Sequence, residues 1–289
     1  MKIVFASLTV TASLLALASS QAQTPASDCP KEMRFGILPT DESTAKTRYT
    51  PLFDYLEKRL NSKLQYTIGA DYAAIIIAMA TKRLEVAWLG PESYIQATKQ
   101  AKVYPLVMPD NKTTGLGYYS SLFVRSDSSY RSIQDLKGKT LAFVDPNSTS
   151  GYLFPMVHFL KDLKINPTDF FGQVIFAGNH NASMLSLVNS KVDVAAIASG
   201  TVNNAIIAKT IKEGELRAVW QSKLIPNSPI TASEVVPASC RALIQKAFLD
   251  LRDPKVLDQL SAKRFVTVND GTYNVVREAD RVKEELRKK

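Results

Sequence analysis

Thr140-Leu141-Ala142-Phe143-Val144-Asp145-Pro146-Asn147-Ser148-Thr149-Ser150-Gly151-Tyr152-Leu153-Phe154-Pro155 turns an apolar strand into a helix within a few residues. Thr140 to Val144 is the strand, Asp145-Pro146-Asn147 is turn chemistry, and helical periodicity follows from Ser150 to Leu163. A strand feeding directly into a helix is the unit of an α/β fold. The first N–H groups of a helix lack partners inside it, and the macrodipole adds partial positive charge there. Ser148, Thr149 and Ser150 therefore read either as an ordinary cap or as a cradle for an oxyanion. A cap needs one hydroxyl, and the sequence supplies three.

The same alternation runs outward in both directions. Strands are expected at Met33 to Leu38, Leu64 to Ile68, Val86 to Leu89, Pro105 to Met108, Tyr118 to Val124, Val174 to Ala177, Val192 to Ile197 and Arg217 to Gln221. Helices are expected at Tyr49 to Leu60, Tyr72 to Thr81, Pro91 to Gln100, Asn181 to Asn189, Thr201 to Glu213, Ala238 to Leu251 and Tyr273 to Arg287. The two halves also echo one another. A helix from Tyr72, a basic turn at Arg83 and the strand Glu85-Val86-Ala87-Trp88 are matched by a helix from Ala182, Lys191 and Asp193-Val194-Ala195-Ala196. Equivalent units in two halves imply two lobes, each with a parallel or mixed sheet flanked by helices. Residues 31–120 with 224–289 form the first expected lobe and 121–223 the second. Gly117 to Val124 and Trp220 to Ser228 read as the two crossings of a hinge, with ligand in the cleft between lobes.

Met1-Lys2, the apolar run Ile3 to Ala18 and the small residues Ser20-Gln21-Ala22 read as a signal peptide over residues 1–22. Beyond it, no stretch has the roughly 20 apolar residues of a membrane span. The 36 Lys and Arg exceed the 27 Asp and Glu, for a net charge of +9. They are dispersed, without the aromatic interleaving of a nucleic-acid face, so no nucleic-acid partner is expected. Cys29 and Cys240 are the two cysteines. An oxidising compartment favours a disulfide between them, and two free thiols are the alternative. Two histidines at unrelated places cannot build a catalytic metal site, and no general base is paired with the Ser148 to Ser150 hydroxyls. An enzyme, such as a secreted phosphatase, is therefore not expected, and neither is a metal or cofactor.

Seven segments together carry a resemblance. They are Arg34-Phe35-Gly36-Ile37 with Thr40; Asp71-Tyr72-Ala73 with Ile76 and Met79; Val86-Ala87-Trp88-Leu89-Gly90-Pro91; Gly117-Tyr118-Tyr119-Ser120; Asp145-Pro146-Asn147-Ser148-Thr149-Ser150-Gly151; Ala177-Gly178-Asn179-His180; and Leu224-Ile225-Pro226-Asn227-Ser228-Pro229. The chain resembles, from about Met33 to Asp253, the periplasmic substrate-binding proteins of the phosphate, phosphite and phosphonate class that serve ABC importers. The resemblance implies a two-lobed, type II-like periplasmic binding protein that closes on a small oxyanion and delivers it to a membrane permease as a monomer. It places the oxyanion on Ser148, Thr149 and Ser150, with Tyr72, Tyr118 and His180 completing the cage. Without that motif context, both tyrosines and His180 would read as structural, as His158 does. His180 would gain positive charge beside a dianion. Relatives that bind aminoethylphosphonate hold its ammonium with acidic residues. The corresponding stretches here, Ile197-Ala198-Ser199-Gly200-Thr201 and Pro226-Asn227-Ser228-Pro229, contain none. A buried ammonium without a carboxylate is costly, so phosphite, phosphate or methylphosphonate fits better. Some members of the class instead present an oxyanion, arsenite included, to a histidine kinase, and this sensing role is the alternative.

Overall fold

The computed structural model describes residues 29–40 and 42–288, so the signal peptide expected over 1–22 lies outside the described residues. The chain starts with β1 (Glu32–Ile37), α1 (Glu42–Leu60), β2 (Lys63–Ile68), α2 (Tyr72–Ala80), β3 (Val86–Trp88), α3 (Pro91–Thr98) and β4 (Val103–Asn111). It crosses through β5 (Gly117–Tyr118) into β6 (Ser120–Arg125) and β7 (Thr140–Phe143). A π-helical turn (Thr149–Leu153), α4 (Phe154–Val157) and a second π-helical stretch (His158–Leu163) then run on without a break. There follow α5 (Pro167–Phe170), β8 (Gln173–Phe176), α6 (His180–Val188), β9 (Val194–Ala198), α7 (Ser199–Ile207) and β10 (Leu216–Gln221). The chain returns through β11 (Ile225–Pro226) to β12 (Ile230–Ser233), α8 (Ala238–Asp250), α9 (Pro254–Gln259), β13 (Ala262–Thr267) and α10 (Asn274–Arg287).

Two main sheets result. The first has the order β13-β4-β12-β3-β1-β2 and the second β10-β6-β9-β7-β8. Each is built on a parallel trio, β2-β1-β3 and β8-β7-β9, extended by antiparallel strands. The molecule is thus two α/β lobes with mixed sheets. A third, two-stranded sheet pairs β5 with β11 where the chain crosses between lobes. The placement of β7 explains why Leu141, Ala142 and Phe143 form a continuous apolar run. Leu141 and Phe143 enter one buried cluster and Ala142 enters another, so both faces of the strand are covered.

The internal echo is a structural repeat at a constant offset. Asp71 and Asn179 are extended N-caps whose side chains accept from the N–H of Ala74 and Ala182, at 2.7 and 2.8 Å. Tyr72 and His180 are the first residues of the two helices, and left-handed Lys82 and Ser190 follow their ends. The acid before each strand also has a task. Glu85 accepts from the N–H of Arg34 at 2.7 Å, and Asp193 accepts from that of Thr140 at 2.9 Å, so each pins the neighbouring strand.

Several expectations change. Residues Tyr118 to Val124 do not form one strand: Tyr118 pairs with Ile225 in the crossing, and Ser120 begins β6. Helix α7 stops at Ile207 instead of Glu213, because Ala208 caps it and Lys209 turns left-handed. Helix α1 begins at Glu42, ahead of Pro51. Strands β12 and β13 were not expected, and β12 lies inside the first sheet between β4 and β3. A disulfide joins Cys29 to Cys240, which is fully buried on α8. No helix among the described residues is long and apolar enough to cross a membrane.

Candidate functional site

A cleft of about 300 Å³ between the lobes is lined by all six residues singled out above: Tyr72, Tyr118, Ser148, Thr149, Ser150 and His180. Its floor is the start of the helix after β7. Ser148 is extended, with φ −83° and ψ 129°, and its Oγ accepts from the N–H of Gly151 at 3.1 Å. Gly151 is required here by close approach. A Cβ would lie 2.4 Å from the side chain of Val144, so only glycine lets the helix press onto the strand end. The first turn is π-helical, with the Leu153 N–H reaching the Ser148 carbonyl at 2.9 Å. Pro155 has no N–H to give the Ser150 carbonyl in this register. The Ser120 hydroxyl takes that place at 2.7 Å.

The electrostatics follow from which side of each polar group is already occupied. The Ser148 oxygen accepts from Gly151, and the Thr149 Oγ1 accepts from the N–H of Glu92 at 2.8 Å. His180 Nδ1 accepts from the N–H of Ala198 at 3.2 Å, which fixes the tautomer with the proton on Nε2. That nitrogen stands 3.5 Å from the oxygens of both Ser148 and Ser150. Each of the three groups accepts from a backbone N–H and still carries a proton of its own to donate. The cap and the cradle are not alternatives, because an oxygen that accepts a capping N–H still carries a proton to donate. Tyr72 adjoins Ser148, and Tyr118 adjoins Thr149 and Ser150. Burial pushes both phenols up, Tyr118 to about 12, so both stay protonated donors.

The charge of His180 is set by its surroundings. Burial pushes the His180 imidazole down to about 4, and protonating Nδ1 would set two donors against each other at Ala198. Held by burial and by the Ala198 N–H, the imidazole is neutral with Nε2 as its donor, and the cation expected from the sequence is that of an imidazole beside a dianion. His158 is elsewhere: its ring stacks on Trp220 at 4.5 Å, and its Nδ1 lies 2.8 Å from Asp162.

The cage is closed from the other lobe. Besides the Glu92 N–H on Thr149, the Ser93 hydroxyl donates to the Asn147 carbonyl at 3.1 Å, and both residues open α3. Leu153, Phe154 and Val157 of the second lobe share one apolar cluster with Ile95, Tyr273 and Val276 of the first. At another part of the rim, Ser261 Oγ lies 3.3 Å from Asn204 Oδ1. The disulfide consumes both cysteines, so no thiol faces the cleft among the described residues.

Residues 35–273 match the family described as the periplasmic substrate-binding protein of the phosphonate ABC transporter. The chain belongs to this phosphonate-binding family. It is 30% identical over 276 residues to the phosphonates-binding periplasmic protein of Escherichia coli, covering 92% of this chain and 81% of that protein. It is also 30% identical over 292 residues to the phosphate-import protein PhnD of Mycolicibacterium smegmatis, covering 91% of each. A binding component of an ABC phosphonate transporter from Pseudomonas aeruginosa has the same fold, with TM-score 0.83 and 24% identity over 90% of this chain and 88% of that one. So does PhnD1 of Prochlorococcus marinus in complex with methylphosphonate, with TM-score 0.78 and 21% identity over 87% and 97%.

In this member of the family several residues that shape the cleft escaped the sequence. Glu92 acts through its backbone N–H, which leaves no trace in residue type. Its carboxyl, fully buried, is pushed up to about 8 by burial. Asp145 accepts from the N–H of Asn147 at 2.7 Å and interacts with that of Tyr72, tying the turn to the opposite lobe. Asn227 donates to the carbonyls of Pro109 and Gly115, both at 2.8 Å, and so pins the return crossing. Asn179 was detectable, since it stands in the echo where Asp71 stands.

Proposed function

We propose that the protein captures a small phosphorus oxyanion (phosphite, phosphate or an alkylphosphonate such as methylphosphonate) by lobe closure and delivers it to the membrane permease of an ABC importer. Family membership supports the transport role. One observation supports the ligand class: backbone N–H groups fill the acceptor sides of Ser148, Thr149 and His180, leaving a set of fixed donors. Such a site favours a ligand with several acceptor oxygens, and its donors need no reorganisation on binding. In this reading the lobes are 31–120 with 224–289 and 121–223, and closure is the state that the permease recognises. The protein acts as a monomer in the periplasm after cleavage near Ala22, and it performs no chemistry on the ligand.

Isothermal titration of ligand-stripped mature protein tests this reading against phosphite, phosphate, methylphosphonate, aminoethylphosphonate and arsenite. The expected result is tight binding of a phosphorus oxyanion, with aminoethylphosphonate weak. Silence across the panel would overturn it.

A further inference from the structure

The cradle occupies only part of the cleft. A volume of about 300 Å³ lies at the lower end of the range that takes organic ligands, which is more than a bare tetrahedral head needs. The rest is walled by Leu38, Tyr49, Trp88 and Leu260, with Arg48 of α1 beside them. The rings of Tyr49 and Trp88 meet edge-on at 5.9 Å, and the Arg48 guanidinium lies 5.6 Å from the Tyr49 ring centre. Arg48 is partly buried, and its Nε is buried without a hydrogen-bond partner. Among the described residues no carboxylate pairs with it and none lines the cleft. A buried Nε–H left without an acceptor is costly, and the planar fork of a guanidinium matches a carboxylate in two parallel bonds. The cradle has no call on it, since hydroxyls and a neutral imidazole already supply its donors.

Resting on the function proposed above, we infer that the ligand is a phosphonate whose carbon substituent ends in a carboxylate, and that Arg48 is the specificity-determining partner of that carboxylate. The phosphoryl head sits on Ser148 to Ser150, the short carbon chain runs along the aromatic and aliphatic wall, and the carboxylate faces Arg48. The same cation repels an aminoalkyl substituent, which agrees with the absence of acidic residues from the two stretches noted in the sequence.

The test is a titration of the full mature chain with phosphonoacetate, 3-phosphonopropionate, methylphosphonate, aminoethylphosphonate and phosphate, repeated for Arg48→Met, Arg48→Gln and Arg48→Lys. In the natural protein a phosphonocarboxylate should bind about tenfold or more tighter than methylphosphonate, one desolvated charge pair being worth at least that factor. In Arg48→Met and Arg48→Gln that ratio should collapse towards one, and Arg48→Lys should keep part of it. Methylphosphonate binding as tightly as both phosphonocarboxylates would overturn the inference and leave the oxyanion function standing. So would an Arg48 variant that weakens all the ligands by one common factor, since Arg48 would then serve the phosphoryl head. If neither the phosphonates nor phosphate binds, the oxyanion function itself falls, and this inference falls with it.

Discussion

The two lobes present the same strand-helix-strand unit to the cleft and equip it differently. In the first lobe the helix after β1 is preceded by Thr40-Asp41; in the second, the matching helix after β7 begins at Ser148-Thr149-Ser150. The next helix starts with Tyr72 behind an aspartate cap in one lobe and with His180 behind an asparagine cap in the other. The backbone repeats and the chemistry does not. Acidic residues at a helix start suit the dipole but repel an anion, whereas hydroxyls and a neutral imidazole offer protons without opposing charge. The second lobe therefore carries the proposed cradle, and the first contributes Tyr72 and the Glu92 N–H that bonds Thr149 across the cleft.

This asymmetry is open to test, beginning with stability. Only the first lobe is stapled by Cys29–Cys240, which spans 211 positions. Replacing both cysteines by Ala should cost about 4 kcal/mol, as expected for a long closed loop. Denaturant unfolding should show the loss, with the second lobe's midpoint unmoved; equal losses in both lobes would mean that they unfold as one unit.

Next is the contrast between Tyr72 and His180. A histidine held near 4 when folded and near 6.5 when unfolded stabilises the fold fully above pH 6.5, and this contribution disappears as pH falls from 6.5 through 4. The slope approaches about 1.4 kcal/mol per pH unit. His180→Asn should flatten it in thermal melts between those limits. Tyr72→Phe should not, because Tyr72 is neutral throughout. An unchanged slope in His180→Asn would show that the imidazole is not buried neutral.

Binding comes third. Thr149→Ala with Ser150→Ala should weaken oxyanion binding by about 2 kcal/mol or more, two charge-assisted bonds at the lower end of their range. Titration of the double variant with its best ligand measures this, and unchanged affinity would remove the cradle.

The smallest effect concerns what the lobes share. Asp71→Ala and Asn179→Ala remove equivalent caps, so each should cost about 1 kcal/mol of stability. Markedly unequal costs would show that the repeat is similar in shape but not in energetics.

Much of this was legible because it is local. The strand-turn-helix at 140–163, the paired helices and their basic turns, and the hydroxyl cluster are set by neighbours a few positions apart. β12 was missed because Ile230–Ser233 is four residues long and follows a proline, and only its pairing with β3 and β4 makes it a strand. β13 was missed because its charged residues suit an exposed edge and break the apolar pattern.

The sequence by itself determined the two α/β lobes, the repeat, and the residue types of the cradle, since periodicity, caps and turn chemistry act over one or two turns of chain. Tertiary structure alone decided which partners those residues meet. The Ala198 N–H chose the tautomer of His180, the Glu92 N–H filled an acceptor position of the Thr149 hydroxyl, and Ser120 replaced the hydrogen that Pro155 lacks. Each of these partners is a backbone amide or a hydroxyl from a distant element. A backbone amide is the same in every residue that carries one, so only the folded chain shows where it points.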